Sequence, residues 1–202
     1  MSLGHKARYA RILAQLLSYV AQRDSVSQVH LLDGQASQPA HGRDKVGDAW
    51  RFAEEAAVVD APIQAVEALK GFALNTRFAA GAGLALIISD LFDEASLQPA
   101  LVALKTRGLD ASFLQLMAEE DLEPEVGQLE VVDVETGETL LVGPDEVQAY
   151  RRTVHTFIDR TRRAVLRAGF RHTLLRVADE DDAVLEKRAF AELIRVGILQ
   201  KR

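Results

Sequence analysis

The chain of 202 residues contains no cysteine, only two methionines and a single tryptophan. The absence of cysteine excludes disulfides, thiolate metal sites, iron–sulfur clusters and cysteine nucleophiles together. The purely apolar stretches, such as residues 84–88, are far shorter than the roughly 20 residues that span a bilayer, and no secretion signal opens the chain. We therefore expect a cytoplasmic protein with no membrane segment.

Positive charge is also in deficit, because 24 lysines and arginines stand against 30 aspartates and glutamates, a net charge of −6. This balance argues against general affinity for nucleic acid, which needs a basic surface field. A composition of 48% hydrophobic and 27% charged residues is typical of a globular protein. We expect a single domain over residues 4–202, and we interpret residues 1–3 as an expression scar.

The frequent enzyme motifs are absent as well. The sequence has no Walker phosphate loop, no G-x-G-x-x-G turn, no H-E-x-x-H helix and no G-x-S-x-G elbow. Its histidines lack metal-ligand spacing, and they are His5, His30, His41, His155 and His172. These absences disfavour an enzyme.

Hydrophobic periodicity predicts strands that alternate with helices. The predicted helices cover residues 6–20, 46–57, 63–74, 95–106, 145–168 and 183–196. The predicted strands cover residues 26–32, 83–89, 111–117 and 173–177, and residues 129–134 and 138–142 form an inserted β-hairpin. Residues 35–47 have no apolar period and indicate a surface loop with at most a short edge strand.

This order predicts an α/β fold with a doubly wound, mostly parallel sheet and helices on both faces, since parallel neighbours need crossover connections. The continuous apolar run 83–89 has the pattern of a strand covered on both faces, and we place it at the centre of the sheet. In such folds ligands bind beyond the carboxyl ends of the strands.

Ser89, Asp90 and Asp93 leave the carboxyl end of that strand and supply oxygen atoms of the kind that magnesium prefers. They are the candidate metal site. The alternative is structural: Asp93 caps the following helix, and Asp90 holds the turn.

Arginine is concentrated between residues 151 and 171, where the only acid is Asp159. This basic stripe predicts contact with an acidic partner or phosphate, and the partner-binding candidates are Arg151, Arg152, Arg160, Arg163 and Arg167. The alternative is a solvated helix face whose arginine stems cover apolar surface. A weaker reading, nucleic-acid binding, conflicts with the net charge and with the lack of clustered aromatics for base stacking.

The segment LALIISDLFD, the later segment LEPEVGQLEVVDVETGETLLVG and the arginine-rich helix resemble the C-terminal part of a bacterial family. This is the MoxR-associated family, domain of unknown function fifty-eight, with a von Willebrand factor A-like domain. The resemblance covers residues 83–202, is weaker over 6–32 and is faint between. It implies a Rossmann-type sheet and a non-catalytic adaptor that partners a MoxR-type AAA+ ATPase in the maturation or assembly of other proteins. Relatives often carry membrane helices, which implies the cytoplasmic face of the membrane for a full-length protein.

The resemblance also implies an incomplete metal site. Family domains of this type hold magnesium between three loops, and only Asp90 matches here, because the Asp-x-Ser-x-Ser turn is absent and no threonine lies near Asp60-Ala61-Pro62. We expect Ser89, Asp90 and Asp93 to be an unoccupied remnant and expect no cofactor, with magnesium binding only if upstream ligands are restored. The alternative is a magnesium-dependent binding domain or enzyme centred on Asp90 and Asp93. In the family the first strand comes earlier in the sequence than the matched part, and in the sheet it lies between the strands that correspond to residues 26–32 and 83–89. We therefore expect these two strands to pair directly or a homodimer to fill the gap.

Overall fold

The computed structural model describes residues 2–42, 45–56, 64–76, 83–93, 95–124, 129–132 and 139–200. Its helices in these ranges are α1 (Ser2–Ala21), α2 (Val46–Glu55), α3 (Ala65–Asn75), α4 (Gln98–Thr106), α5 (Glu119–Leu122), α6 (Pro144–Arg167) and α7 (Asp182–Arg195). Its strands there are β1 (Leu84–Ser89), β2 (Asp110–Ala118), β3 (Leu129–Val132), β4 (Thr139–Val142) and β5 (Arg171–Val177).

Three strands form a parallel sheet in the order β1-β2-β5. Leu86 of β1 lies opposite Ser112 of β2, and Leu114 of β2 lies opposite Thr173 of β5. Apart from its first residue, β2 is buried along its whole length. The protein is therefore an α/β protein with an all-parallel sheet, as the alternation of strands and helices predicts.

Helices cover both faces of this sheet. On one face α3, α4 and α6 pack over alternate residues of β1 and β2, and this core includes Val66, Leu69, Leu101, Leu104 and Val165 with Ala85, Ile87 and Phe113. On the other face α1 and α7 pack over the intervening residues, and this core includes Tyr9, Leu13, Leu17, Leu185 and Leu193 with Leu114, Leu116 and Leu175. Alternate residues of the strands therefore face opposite sides of the sheet, and each helix buries one apolar stripe against it.

The predicted central strand is an edge strand, and this prediction was wrong. In the described part of the chain β1 pairs only with β2, which takes the centre. Leu84 is 61% exposed, while Leu86 and Ile88 are only partly buried. An uninterrupted apolar run arises here because α1 and α3 cover the two faces of β1, although one lateral edge carries no described strand.

The predicted strand 26–32 is not part of the sheet either. Two isolated antiparallel bridges, Ser27 with Ala40 and His30 with Ala36, fold residues 26–40 into a small hairpin, which we call the flanking hairpin. Part of the predicted surface loop thus supplies its second arm. No hydrogen bond joins residues 26–32 to β1 within the described ranges, so direct pairing of the two predicted strands was also wrong.

Several local predictions are confirmed. Helices α4 and α6 end before Gly108 (φ 71°) and Gly169 (φ 88°), where glycine adopts a left-handed conformation at no steric cost. β3 and β4 pair antiparallel, while their connection 133–138 and the stretch Asp60-Ala61-Pro62 lie outside the described residues. Among the described helices, none combines the length and apolar character needed to cross a bilayer.

Candidate functional site

The loop that follows β1 is held by side chain to main chain hydrogen bonds. The Leu91 amide donates to Ser89 Oγ at 3.0 Å, and the Phe92 amide donates to Asp90 Oδ1 at 3.3 Å. Between them Leu91 has φ 56°, a left-handed conformation that is uncommon for a residue with a side chain, and its side chain is buried. The tight turn therefore points the Asp90 carboxylate away from β1 and toward α1.

Asp93 is engaged by two main-chain amides. Its Oδ2 accepts from Val66 N of α3 at 3.1 Å, and its Oδ1 accepts from Ala95 N at 2.8 Å. The prediction that Asp93 caps the following helix was wrong, because α4 begins at Gln98 and Leu97 stands at its N-cap. Asp93 instead satisfies an amide in the first turn of α3, an end that has no cap from its own N-cap side chain.

Lys6 of α1 brings a positive charge to this loop. Its Nζ lies 3.0 Å from Asp90 Oδ2 and 3.2 Å from Asp121 Oδ2 of α5, and we call this arrangement the lysine bridge. Burial favours neutral Lys6, but the attraction and hydrogen bonds of the two carboxylates outweigh it, and the pKa of Lys6 is raised. An ammonium group therefore neutralises Asp90 at the rim of the sheet.

A buried amide connects this rim to the far strand. Gln115 of β2 is fully buried; its Nε2 donates to the Asp90 carbonyl oxygen at 3.0 Å, and its Oε1 lies 2.9 Å from His172 Nε2. Because Oε1 can only accept, His172 donates from Nε2. Burial, and next the positive charge of Arg162, lower the pKa of His172 to about 4, so the ring is neutral at pH 7.

The chemistry available at this rim is that of a satisfied polar network. Among the described residues, no group of three or more histidines, cysteines, aspartates or glutamates is placed to hold a metal ion. Of the three candidate ligands, Ser89 and Asp93 accept main-chain hydrogen bonds, and Asp90 pairs with Lys6. A cation at Asp90 would have to compete with the ammonium group.

Lys6, Asp121 and Gln115 were missed by reasoning from sequence. Lys6 lies 84 residues before Asp90, and nothing in its helical periodicity marks it as the partner of a carboxylate. Asp121 belongs to an acidic cluster that is common at helix starts, and Gln115 is a polar residue within a buried strand. Only the polar Gln115 inside an apolar run was a usable signal, because a buried amide requires partners.

Helix α6 contains six arginines, and five of them have exposed side chains. Four of these five lie on one side of the helix, and we call Arg152, Arg160, Arg163 and Arg167 the arginine face, whereas Arg162 lies outside it. At about 100° per residue the four fall within an arc of roughly 80°, and they extend over about 22 Å of helix. Arg151 is separate, since it is half-buried and donates to the Pro124 carbonyl at 2.8 Å.

The arginine face makes only neutral or aromatic contacts in the described structure. Arg152 donates to Gln148 Oε1 at 3.4 Å, and Arg163 donates to a main-chain carbonyl of its own helix at 3.1 Å. The Arg160 guanidinium lies 6.0 Å from the centre of the Phe157 ring. No described carboxylate forms an ion pair with any of the four, so their charge is available to a partner.

The two features thus differ in their partners: each charged group of the lysine bridge has an oppositely charged partner, and the arginine face presents unpaired positive charge to solvent. The assignment to the von Willebrand factor A-like family stays a prediction. Comparisons with models of known families, with curated proteins and with solved structures give no match to this chain.

Proposed function

We propose that the protein is a non-catalytic interaction module that docks an acidic surface of a partner protein through the arginine face. The observation that carries this proposal is the set of four exposed arginines on α6 without a described carboxylate partner, in a protein of net charge −6. Arginine side chains form bidentate, charge-assisted hydrogen bonds with carboxylates. An isolated basic stripe in an acidic protein directs association to one face.

The lysine bridge supports the non-catalytic part of the proposal. A general base or a metal ligand needs a carboxylate that is free to change its partner, and Asp90 is fixed by Lys6 and by the Phe92 amide. The alternative, a magnesium-dependent binding domain or enzyme at Asp90 and Asp93, requires displacement of the ammonium group. A magnesium titration followed by calorimetry separates the two, because the alternative predicts saturable binding that Asp90→Asn removes.

The partner proposed is a MoxR-type AAA+ ATPase, with the chain acting as its adaptor. This part rests on the resemblance of residues 83–202 to the MoxR-associated family. Docking through the arginine face requires acidic side chains on the surface of the ATPase.

Surface plasmon resonance with a purified MoxR-type ATPase tests the proposal. We expect the double variant Arg152→Glu with Arg163→Glu to weaken binding at least tenfold, and we expect wild-type affinity to fall with added salt. The matched control is Arg23→Glu with Arg51→Glu, which changes net charge equally at exposed arginines of other segments.

Equal losses in the two double variants would show that only net charge matters, and the arginine face would then not be the docking surface. No binding to MoxR-type ATPases would refute the named partner. Tight, salt-dependent retention on DNA would instead support the nucleic-acid reading.

A further inference from the structure

The loop that follows β1 holds a phenylalanine out to solvent. Phe92 is 62% exposed, although its neighbour Leu91 is buried. The main chain is fixed on both sides of Phe92, since Leu91 adopts its left-handed conformation and the Asp93 carboxylate accepts from the amides of Val66 and Ala95. A side chain on a rigid loop loses little entropy when a partner covers it, so Phe92 is suited to act as a binding anchor.

Phe92 lies against helix α6, next to the arginine face. The centre of its ring is 5.1 Å from the centre of the Phe157 ring, and the two ring planes are tilted by 56°. The guanidinium group of Arg160, which belongs to the arginine face, lies 6.0 Å from the centre of the same Phe157 ring. Phe92 and Arg160 therefore contact one ring, and the exposed surface of Phe92 is one side chain away from the positive charge of the arginine face.

Helix geometry places Phe157 at the border of the arginine face. At about 100° per residue, Phe157 lies roughly 60° around α6 from Arg160. Along the helix axis it lies about 4.5 Å before Arg160 and about 7.5 Å beyond Arg152. Positive charge therefore stands on both axial sides of the point at which Phe92 meets the helix.

The charges of the loop and of the helix decide what a partner can place on each. On the loop, Asp90 is already paired with Lys6, and the Asp93 carboxylate has no described lysine or arginine as its partner. An acidic side chain over the loop would therefore be repelled by Asp93, whereas over α6 it would meet unpaired guanidinium groups. The complementary surface of a partner is negative over the arginine face and uncharged over Phe92.

We propose that the docking surface extends from the arginine face onto Phe92 and receives an acidic segment of the partner protein that carries one aromatic side chain. This inference rests on the proposed function and deepens it, because it states which kind of segment the arginine face receives. The acids of the segment pair with the arginines, and its aromatic side chain packs on the exposed ring of Phe92. The arginine face extends over about 22 Å and an extended chain rises about 3.3 Å per residue, so the segment is about seven residues long.

Fluorescence anisotropy with labelled peptides tests this inference on the whole chain. The probe is a peptide with a central tryptophan and glutamates on both sides of it, and the comparison peptide has serine in place of the tryptophan. We expect the tryptophan peptide to bind the wild type at least tenfold more tightly than the serine peptide, because it alone buries the exposed ring of Phe92. A third peptide, with lysines in place of the glutamates, should not bind.

Substitutions separate docking on Phe92 from a purely structural role of this residue. In Phe92→Ser the preference for the tryptophan peptide should disappear, while the serine peptide should bind as it does to the wild type. Phe92→Leu keeps an apolar cover on Phe157 and should show an intermediate preference. In the double variant Arg152→Glu with Arg163→Glu, both acidic peptides should lose at least tenfold in affinity. The matched control is Val102→Ser, at a residue of α4 that is 53% exposed, and it should change neither affinity.

Three results would overturn the inference. Equal affinities of the two acidic peptides for the wild type would show that Phe92 only covers Phe157, and docking through the arginine face would still stand. A preference for tryptophan that survives Phe92→Ser would place the aromatic side chain elsewhere. Failure of both acidic peptides to bind would also overturn the inference, and the binding of the ATPase would then decide the proposed function separately.

Discussion

Replacing Lys6 with methionine tests whether the lysine bridge stabilises the fold. The substitution keeps the aliphatic stem but leaves Asp90 and Asp121 facing each other without a cation. Breaking a fully buried pair costs about 3–5 kcal/mol. Since the side chains here are 16% (Lys6), 30% (Asp90) and 21% (Asp121) exposed, water screens part of that effect, and we expect a loss of about 2–3 kcal/mol. For a chain of this length this lowers Tm by roughly 4–12 °C.

The assay is urea denaturation followed by circular dichroism, with Lys70→Met as the matched control. Lys70 forms a surface pair with Glu67 one turn away, so its loss should cost at most about 0.5 kcal/mol. The raised pKa of Lys6 adds a second readout. Its stabilisation is complete below the unfolded pKa near 10.5 and is lost as pH rises through the folded pKa, so the gap between wild type and variant should narrow above about pH 10.5. Equal stabilities of the two methionine variants at pH 7 would refute the reasoning.

Substitutions at three further residues probe other features. His172→Gln should make the free energy of unfolding depend less on pH below 6.5. The pKa of His172 is about 4 in the folded protein and 6.5 in the unfolded chain, so the wild type loses up to about 3 kcal/mol of stability as pH falls from 6.5 to 4. Urea denaturation at each pH measures this loss. Asp93→Ala should lower the free energy of unfolding by about 1 kcal/mol, because it leaves the start of α3 without its acceptor. Asp93→Asn retains an acceptor and should lower it less. Equal losses of stability in thermal melts of the two variants would contradict the capping role. Gln22→Leu should raise the free energy of unfolding by about 1–2 kcal/mol, because it removes a buried amide without partners, and a destabilised variant would show that the amide is satisfied.

Local elements were largely predictable because they depend on periodicity and on residues that end helices. The predicted helix 145–168 is α6 (Pro144–Arg167) with a shift of one residue at each end, and the predicted strand 111–117 is β2 (Asp110–Ala118). Proline in the first turn of α6 and Gly169 just past its end are signals that act within a few residues. Signals of such short range can be predicted from the sequence alone.

The arrangement of those elements was less predictable, because it depends on contacts between distant residues. An apolar run reports that the faces of β1 are covered, but it does not report what lies along its edges. The carboxylates of the candidate site could be placed at the end of β1, yet their partners could not. Lys6 and Val66 reach Asp90 and Asp93 from helices far away in the chain.

The cap of α3 has a consequence for the order in which the nascent chain gains structure. Asp93 lies 27 residues after Val66, so the ribosome must finish α3 and β1 before the acceptor of the helix exists. During synthesis the start of α3 lacks this acceptor, and an isolated helix of 11 residues is marginal in water. The start of α3 therefore gains this acceptor only after the chain has emerged past β1, which links the stability of the helix to the synthesis of the strand that follows it.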